Sequence, residues 1–250
     1  MFPILFTIGE IQISSSHFFL VLGILVGLGV GWIEARRVGI SDRHFHTFWL
    51  SAVPLALLFA ALNARIFKVG FSNALQNLGS VDYLSLVSFG AVLGVLFWGA
   101  IYARLTKVPT GLILDTVATV LPLILSIYRI GCILTGCCYG LETDGFFSFY
   151  LPGRHGVWAP RYPTQIMLFL FNMILFLWLW MRRKRKAFAG QQVLILLIIY
   201  SLGRLAIDAL RDLPRILGPF SLHQLTAMAI LLISSYTAFE LWRERRASQA

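Results

Sequence analysis

The sequence predicts an all-α integral membrane protein of about seven transmembrane helices with a small outward-facing head. Three observations carry that prediction. Of the 250 residues, 58% are hydrophobic and only 13% charged, and the mean hydropathy is +0.78, outside the balance of soluble globular domains. The apolar residues fall into continuous runs that do not alternate, which argues for helices and against a β-barrel. Basic residues cluster at alternate ends of those runs.

The runs cover roughly residues 17–35, 46–63, 85–103, 112–129, 164–181, 190–209 and 220–241. Each approaches the ~20 residues a helix needs to cross a hydrocarbon core. No room is left for a separate soluble domain, so residues 1–250 read as a single transmembrane domain. The first run lacks a basic leader and a small-residue cleavage pattern and is expected to be a retained helix.

The net charge of +10 matters less than where it falls. Arg36, Arg37 and Arg43 follow the first run, and Arg104 and Lys107 the third. Arg182, Arg183, Lys184, Arg185 and Lys186 follow the fifth, and Arg243, Arg245 and Arg246 the seventh, so these four clusters hold thirteen of the 21 basic residues. By the positive-inside rule those ends and the C-terminus face the cytoplasm, and the N-terminus and the 63–84, 130–163 and 210–219 loops face outward. The basic 182–186 run sits where a topology signal belongs, so no nucleic-acid partner is expected.

Residues 130–163 form the longest polar interval and are the expected head. No inverted symmetry relates the two halves, which counts against a transporter. Eight basic residues oppose the topology rule: Arg65, Lys68, Arg129, Arg154, Arg161, Arg204, Arg211 and Arg215. An arginine at the centre of a membrane helix costs on the order of 3 kcal/mol on insertion scales. Several together point to a common anionic partner, the alternative being that each snorkels to headgroups or pairs with a carboxylate.

Within YSLGRLAIDALRD, Tyr200, Arg204, Asp208 and Arg211 are spaced 4, 4 and 3 apart and line one helix face. That stripe has to face protein, water or a headgroup, because lipid tails cannot satisfy it. An i, i+4 pair between Arg204 and Asp208 would orient the guanidinium and leave Arg211 as surplus charge; a planar guanidinium suits a phosphate through parallel hydrogen bonds. Asp115 stands about 21 Å of helix from Arg129 and is expected to be an interfacial helix-start residue.

RIGCILTGCCYG gathers Arg129, all three cysteines and three glycines into twelve residues. A redox pair, a metal site and plain packing are the alternatives for Cys132, Cys137 and Cys138. Their spacing fits none of the common zinc signatures and no histidine follows at short range, so no metal is expected. A disulfide within so tight a spacing would be strained. Small buried residues that let backbones pass closely fit the flanking Gly131, Gly136 and Gly140, and bring Arg129 and backbone N–H groups up to an anion.

These residues resemble the prolipoprotein diacylglyceryl transferase family. RIGCILTGCCYG is similar to its Arg-x-Gly signature and Gly-rich segment through Arg129, Gly131, Gly136 and Gly140, with Asp115, Ala118 and Pro122 at the expected distances before it. RYPTQ resembles the family's Pro-Ser/Thr-Gln element through Pro163, Thr164 and Gln165. YSLGRLAIDALRD is similar to its Tyr-x-x-x-Arg-x-x-x-Glu-x-x-Arg helix, FSLHQ matches through Ser221 and Gln224, and NARIF through Arg65. The resemblance covers nearly the whole chain.

It implies a phosphatidylglycerol:prolipoprotein diacylglyceryl transferase-like enzyme of the bacterial cytoplasmic membrane. The enzyme would move an sn-1,2-diacylglyceryl group from phosphatidylglycerol to the lipobox cysteine thiol of a lipoprotein precursor, within membrane lipid and without a cofactor. Arg129 and Arg204 would be catalytic, stabilising the departing phosphate. Arg65, Gly131, Gly140, Gln165, Tyr200, Asp208, Arg211 and Gln224 would bind or orient the lipid. The family's His or Tyr before two glycines is Phe89 here, its Asn is Cys132, an acidic residue is Cys137, the His of its His-Pro element is Tyr162, and a first-helix Tyr is Ser16. Phenylalanine cannot take a proton, which leaves Tyr139, His155, Tyr162 and His223 as candidates for proton handling. The alternative is a lipid-binding relative with an altered acceptor or without transfer activity.

Overall fold

The computed structural model describes residues 1–69, 87–153, 157–213 and 215–247, and the side chains of 8, 11, 60–69, 87–89, 215 and 216 lie outside that description. In chain order the elements are β1 (Ile4–Ile8), β2 (Ile11–Ser14), α1 (Ser15–Arg37), α2 (Asp42–Val69), α3 (Val87–Thr106) and α4 (Thr110–Thr135). They continue with β3 (Phe149–Pro152), β4 (Trp158–Arg161), α5 (Thr164–Arg182), α6 (Gln191–Asp208), β5 (Arg215–Leu217), β6 (Phe220–Ser221) and α7 (Leu222–Ala247). Each helix overlaps one apolar run, and α1, α4, α5, α6 and α7 are long and apolar enough to cross a membrane. The chain is an all-α, multi-pass membrane protein.

The strands form three antiparallel two-stranded hairpins, β1–β2, β3–β4 and β5–β6. Chain connectivity puts all three at the end of the bundle where α4 and α6 finish. Strands of two to five residues offer too short a window for alternation to be read from sequence. The helix through Arg129 also runs further than its apolar stretch suggests. It continues to Thr135, so Arg129 sits six residues inside α4 and the head begins only at Gly136. The residues Ile130–Thr135 keep the helix because Gly131 and Cys132 are buried against neighbours there.

α4 is the centre of the bundle: 83% of its most apolar stretch is buried, against 11% for α7. Its two faces serve two cores. Val117, Val120 and Ile124, spaced by three and four residues, pack with Phe45, Phe48 and Trp49 of α2, while Ala118, Leu121 and Leu125 pack with Leu175 and Leu179 of α5 and Leu196 of α6. α1 crosses α4 closely. A Cβ on Gly23 would lie 3.0 Å from the Ile124 carbonyl oxygen, and one on Gly131 would lie 2.8 Å from Ser16 Cα. With Ser16, Gly23 and Gly27, the last also against Ile124, α1 offers a small-residue face of the kind that lets helices pack without a hydrophobic driving force.

Asp115 is not interfacial. It is fully buried, pairs with Lys186 Nζ at 3.0 Å, and accepts from the backbone N–H groups of Gly190 at 3.0 Å and Val193 at 3.2 Å. The acid of α4 thus caps the N-terminus of α6, where the helix dipole and unpaired N–H groups favour a carboxylate. A second buried acid, Glu34 of α1, pairs with Arg37 and with Arg183. Part of the basic 182–186 run is therefore structural mortar as well as a topology signal.

Removing one partner of a buried, hydrogen-bonded pair leaves the other charge uncompensated, at a cost of about 3–5 kcal/mol. Asp115→Ala is expected to lower the apparent melting temperature of the detergent-purified protein by many degrees; an unchanged melting curve would contradict the capping role.

Candidate active site

The last two turns of α6 carry the polar stripe. Arg204 and Asp208 have essentially no solvent exposure and pair at 2.8 Å. Asp208 also holds Arg211 Nη1 at 3.2 Å, so Arg211 is not left over as the sequence suggested: one carboxylate bridges two guanidiniums because α6 ends at Asp208 and the following turn folds Arg211 back. Tyr200, one turn before Arg204, is buried and lies in the electrostatic neighbourhood of both Arg204 and Arg129.

Arg129 comes from α4 and faces the same region, within electrostatic reach of Arg204. It is 4% exposed. Its Nη1 donates to the Cys132 sulfur at 3.7 Å, its Nε has no hydrogen-bond partner, and no carboxylate pairs with it among the described residues. A buried guanidinium that no carboxylate neutralises has charge and N–H groups available for an anion.

The turn after α4 is built from unusual backbone. Gly136 caps the helix at φ +72° and its N–H returns to the Cys132 carbonyl, a left-handed conformation that glycine adopts without steric cost. Two residues on, Cys138 is left-handed as well, at φ +64°. The first residues of α5 hold the turn from behind: Gln165 Nε2 donates to the Cys137 carbonyl and Thr164 Oγ1 to that of Cys138, both at 2.8 Å. Gln165, expected at a headgroup, therefore spends its amide N–H on backbone. The thiols of Cys132 and Cys137, and behind them Arg211 and Arg129, hold the Cys138 thiol well below the usual cysteine range against the opposing effect of burial.

Gly140 joins the head to α6. Its N–H donates to the Tyr162 carbonyl at 3.1 Å, the Leu141 N–H donates to the Leu210 carbonyl at 2.9 Å, and Gly140 and Arg211 form an antiparallel bridge. A Cβ here would lie 2.6 Å from Tyr162 Cβ and 2.9 Å from the Leu210 oxygen. Gly131 and Gly140 thus contribute close backbone approach. Sequence reasoning passed over Arg161, which pairs with Glu142, donates to the Gly140 carbonyl at 3.4 Å and stands 5.2 Å from the Tyr139 ring. Its position against the positive-inside rule was the available signal.

Beside the arginines lies a cavity of about 240 Å³ lined by Asp208, Arg211, Pro219, Phe220, Ser221 and Gln224. Ser221 and Gln224 form a reciprocal cap on α7, with the Ser221 N–H donating to Gln224 Oε1 at 2.9 Å and the Gln224 N–H to Ser221 Oγ at 3.4 Å. His223, half-buried on the same turn, lies in the electrostatic neighbourhood of Arg204, Asp208, Arg211 and Cys138. Tyr139 and Tyr162 sit in the head, next to Arg161 and along the Gly140 pairing. The side chains of Arg65 and Phe89, and His155 altogether, lie outside the described residues.

A sequence model of the family described as prolipoprotein diacylglyceryl transferase matches residues 3–239. The chain belongs to that family. It is 35% identical over 149 residues to phosphatidylglycerol–prolipoprotein diacylglyceryl transferase 2 of Clostridium perfringens, covering 58% of each chain. It is 26% identical to the phosphatidylglycerol–prolipoprotein diacylglyceryl transferase of Dehalococcoides mccartyi (strain ATCC BAA-2266 / KCTC 15142 / 195), over 99% of this chain and 96% of the relative. With that of Clostridioides difficile (strain 630) it shares 25% identity, over 89% and 88%. In this diacylglyceryl transferase family member, the Arg129 helix, the Pro-Thr-Gln element and the α6 stripe are thus spatial neighbours, and the Pro-Thr-Gln element is the brace behind the Gly-rich turn.

Because no side chain fits between Gly140 and Tyr162 without backbone displacement, Gly140→Ala is expected to cost about 1–3 kcal/mol and to loosen the head. Limited proteolysis should cut residues 136–163 faster in the variant than in the parent protein; equal rates would contradict the tight seam.

Proposed function

We propose that this chain transfers the sn-1,2-diacylglyceryl group of phosphatidylglycerol to the lipobox cysteine thiol of a lipoprotein precursor, at the outer face of the bacterial cytoplasmic membrane, with the N-terminus outside and the C-terminus inside. The observation that carries this reading is the buried, uncompensated Arg129 within reach of the Arg204–Asp208–Arg211 network. Three guanidiniums against one carboxylate leave a surplus of positive charge in a water-poor site, where a phosphodiester is the membrane's own complementary group.

In the reaction the thiol loses its proton, sulfur bonds to the glyceryl carbon that carried phosphate, and the carbon–oxygen bond to phosphate breaks. The electron pair leaves on glycerol-1-phosphate. Charge builds on that oxygen as the bond breaks, so donors fixed beforehand around it lower the barrier more than they stabilise the bound lipid. Arg129 and Arg204 fill this role, Tyr200 and Asp208 orient Arg204, and Arg211, Ser221 and Gln224 line the cavity for the headgroup. His223, in the electrostatic neighbourhood of Arg204, Asp208 and Cys138, is the candidate proton acceptor. Gly131 and Gly140 support the site through the close backbone approaches that they allow, and Arg65 is assigned to lipid binding on the family resemblance.

A transfer assay with phosphatidylglycerol vesicles and a lipobox peptide, read by mass, tests this. Loss of a donor aimed at developing charge costs about 10²–10³ in turnover, so Arg129→Ala and Arg204→Ala should each fall by at least that factor, with the product being the peptide bearing a thioether-linked diacylglyceryl group. Parental turnover in Arg129→Ala would refute the site. His223→Ala should lower turnover by about 10²-fold or more, and parental turnover in that variant would move proton acceptance elsewhere.

A further inference from the structure

The spacing of the three cysteines along the chain argues against a metal, but the fold brings them together regardless of spacing. The sulfurs of Cys132, Cys137 and Cys138 all lie within 4.8 Å of one another. All three are free thiols, one buried in α4 and two half-buried on the turn. The left-handed residues at 136 and 138 curl the chain back over the end of α4, and Thr164 and Gln165 lock the carbonyls of that turn outward.

We propose that Cys132, Cys137 and Cys138 form a three-thiolate site for one thiophilic cation of the zinc(II) class, with a fourth coordination position left to a non-cysteine donor. A zinc–sulfur bond of about 2.3 Å in tetrahedral geometry places sulfurs about 3.8 Å apart. With every sulfur pair within 4.8 Å, the cluster needs a contraction of at most about 1 Å to reach that spacing. Soft sulfur donors without carboxylates select a d¹⁰ thiophilic cation over magnesium or calcium. The surrounding charge favours the loaded state. Arg129, Arg204 and Arg211 exceed Asp208 by two positive charges, and zinc held by three thiolates carries one negative charge. The centre would cancel half of that surplus and leave the other half for a single phosphodiester. Binding releases the thiol protons.

The site stands on its own geometry and does not depend on the transfer reaction. The test uses the full chain, purified in detergent under reducing and anaerobic conditions, loaded with zinc and freed of excess. About one zinc per chain is expected, falling to below about a tenth in Cys132→Ser, Cys137→Ser and Cys138→Ser. Cobalt(II) loading should give intense sulfur-to-cobalt absorption in the near ultraviolet. Because a serine variant that misfolds would also lose metal, the parent protein is assayed by maleimide alkylation: zinc should slow modification of the half-buried Cys137 and Cys138 together. Absence of zinc with three titratable thiols, zinc retained by a triple serine variant, a disulfide between two of the three after anaerobic reduction, or alkylation indifferent to zinc would each overturn the proposal.

Discussion

The site depends on one buried carboxylate. Asp208 has no contact with solvent, yet it balances Arg204 on one side and Arg211 on the other. In a hydrocarbon-like interior an unpaired guanidinium is prohibitively costly and a fully paired one is inert. One acid shared between two arginines, with Arg129 nearby and paired to no carboxylate among the described residues, sits between those limits: charge is tolerated but not exhausted. Everything around it keeps that balance in place. α6 supplies the spacing, the turn after it folds Arg211 back, and the bridge to Gly140 fixes the turn.

The same helix that delivers Arg129 also organises the bundle. α4 gives one apolar face to the α2 core and another to the α5–α6 core, while its two charged residues lie towards opposite ends. Asp115 near one end is spent on Lys186 and the start of α6; Arg129 and Cys132 near the other face the site. A single helix thus sets the relative position of both halves of the molecule and of the charged groups that they contribute.

Much of this was legible in the chain. The seven helices among the described residues followed from the length and continuity of the apolar runs, because burial in lipid is written directly in composition. The α6 stripe followed from helical spacing, and the i, i+4 pair between Arg204 and Asp208 forms as its positions dictate. The end of α4 was misplaced because tertiary packing of Gly131 and Cys132 extends a helix that local polarity argues should stop. Asp115 was misread for a related reason: its partners, Lys186, Gly190 and Val193, are about seventy residues away, and no local pattern announces them. The three hairpins were too short to register, and the convergence of three cysteines depends on two left-handed residues that the sequence does not advertise.

The cap that Asp115 places on α6 has a mechanical corollary. α4 is tied to α6 near one membrane face by that carboxylate, and near the other face the turn that follows it is tied to α5 and to the end of α6 through Thr164, Gln165 and the Gly140 seam. Three helices laced at top and bottom behave as a stiff post. Among the described residues the α2–α3 pair meets that post through apolar packing alone, so that flank can part without breaking such ties. The lacing therefore decides which walls of the bundle can yield.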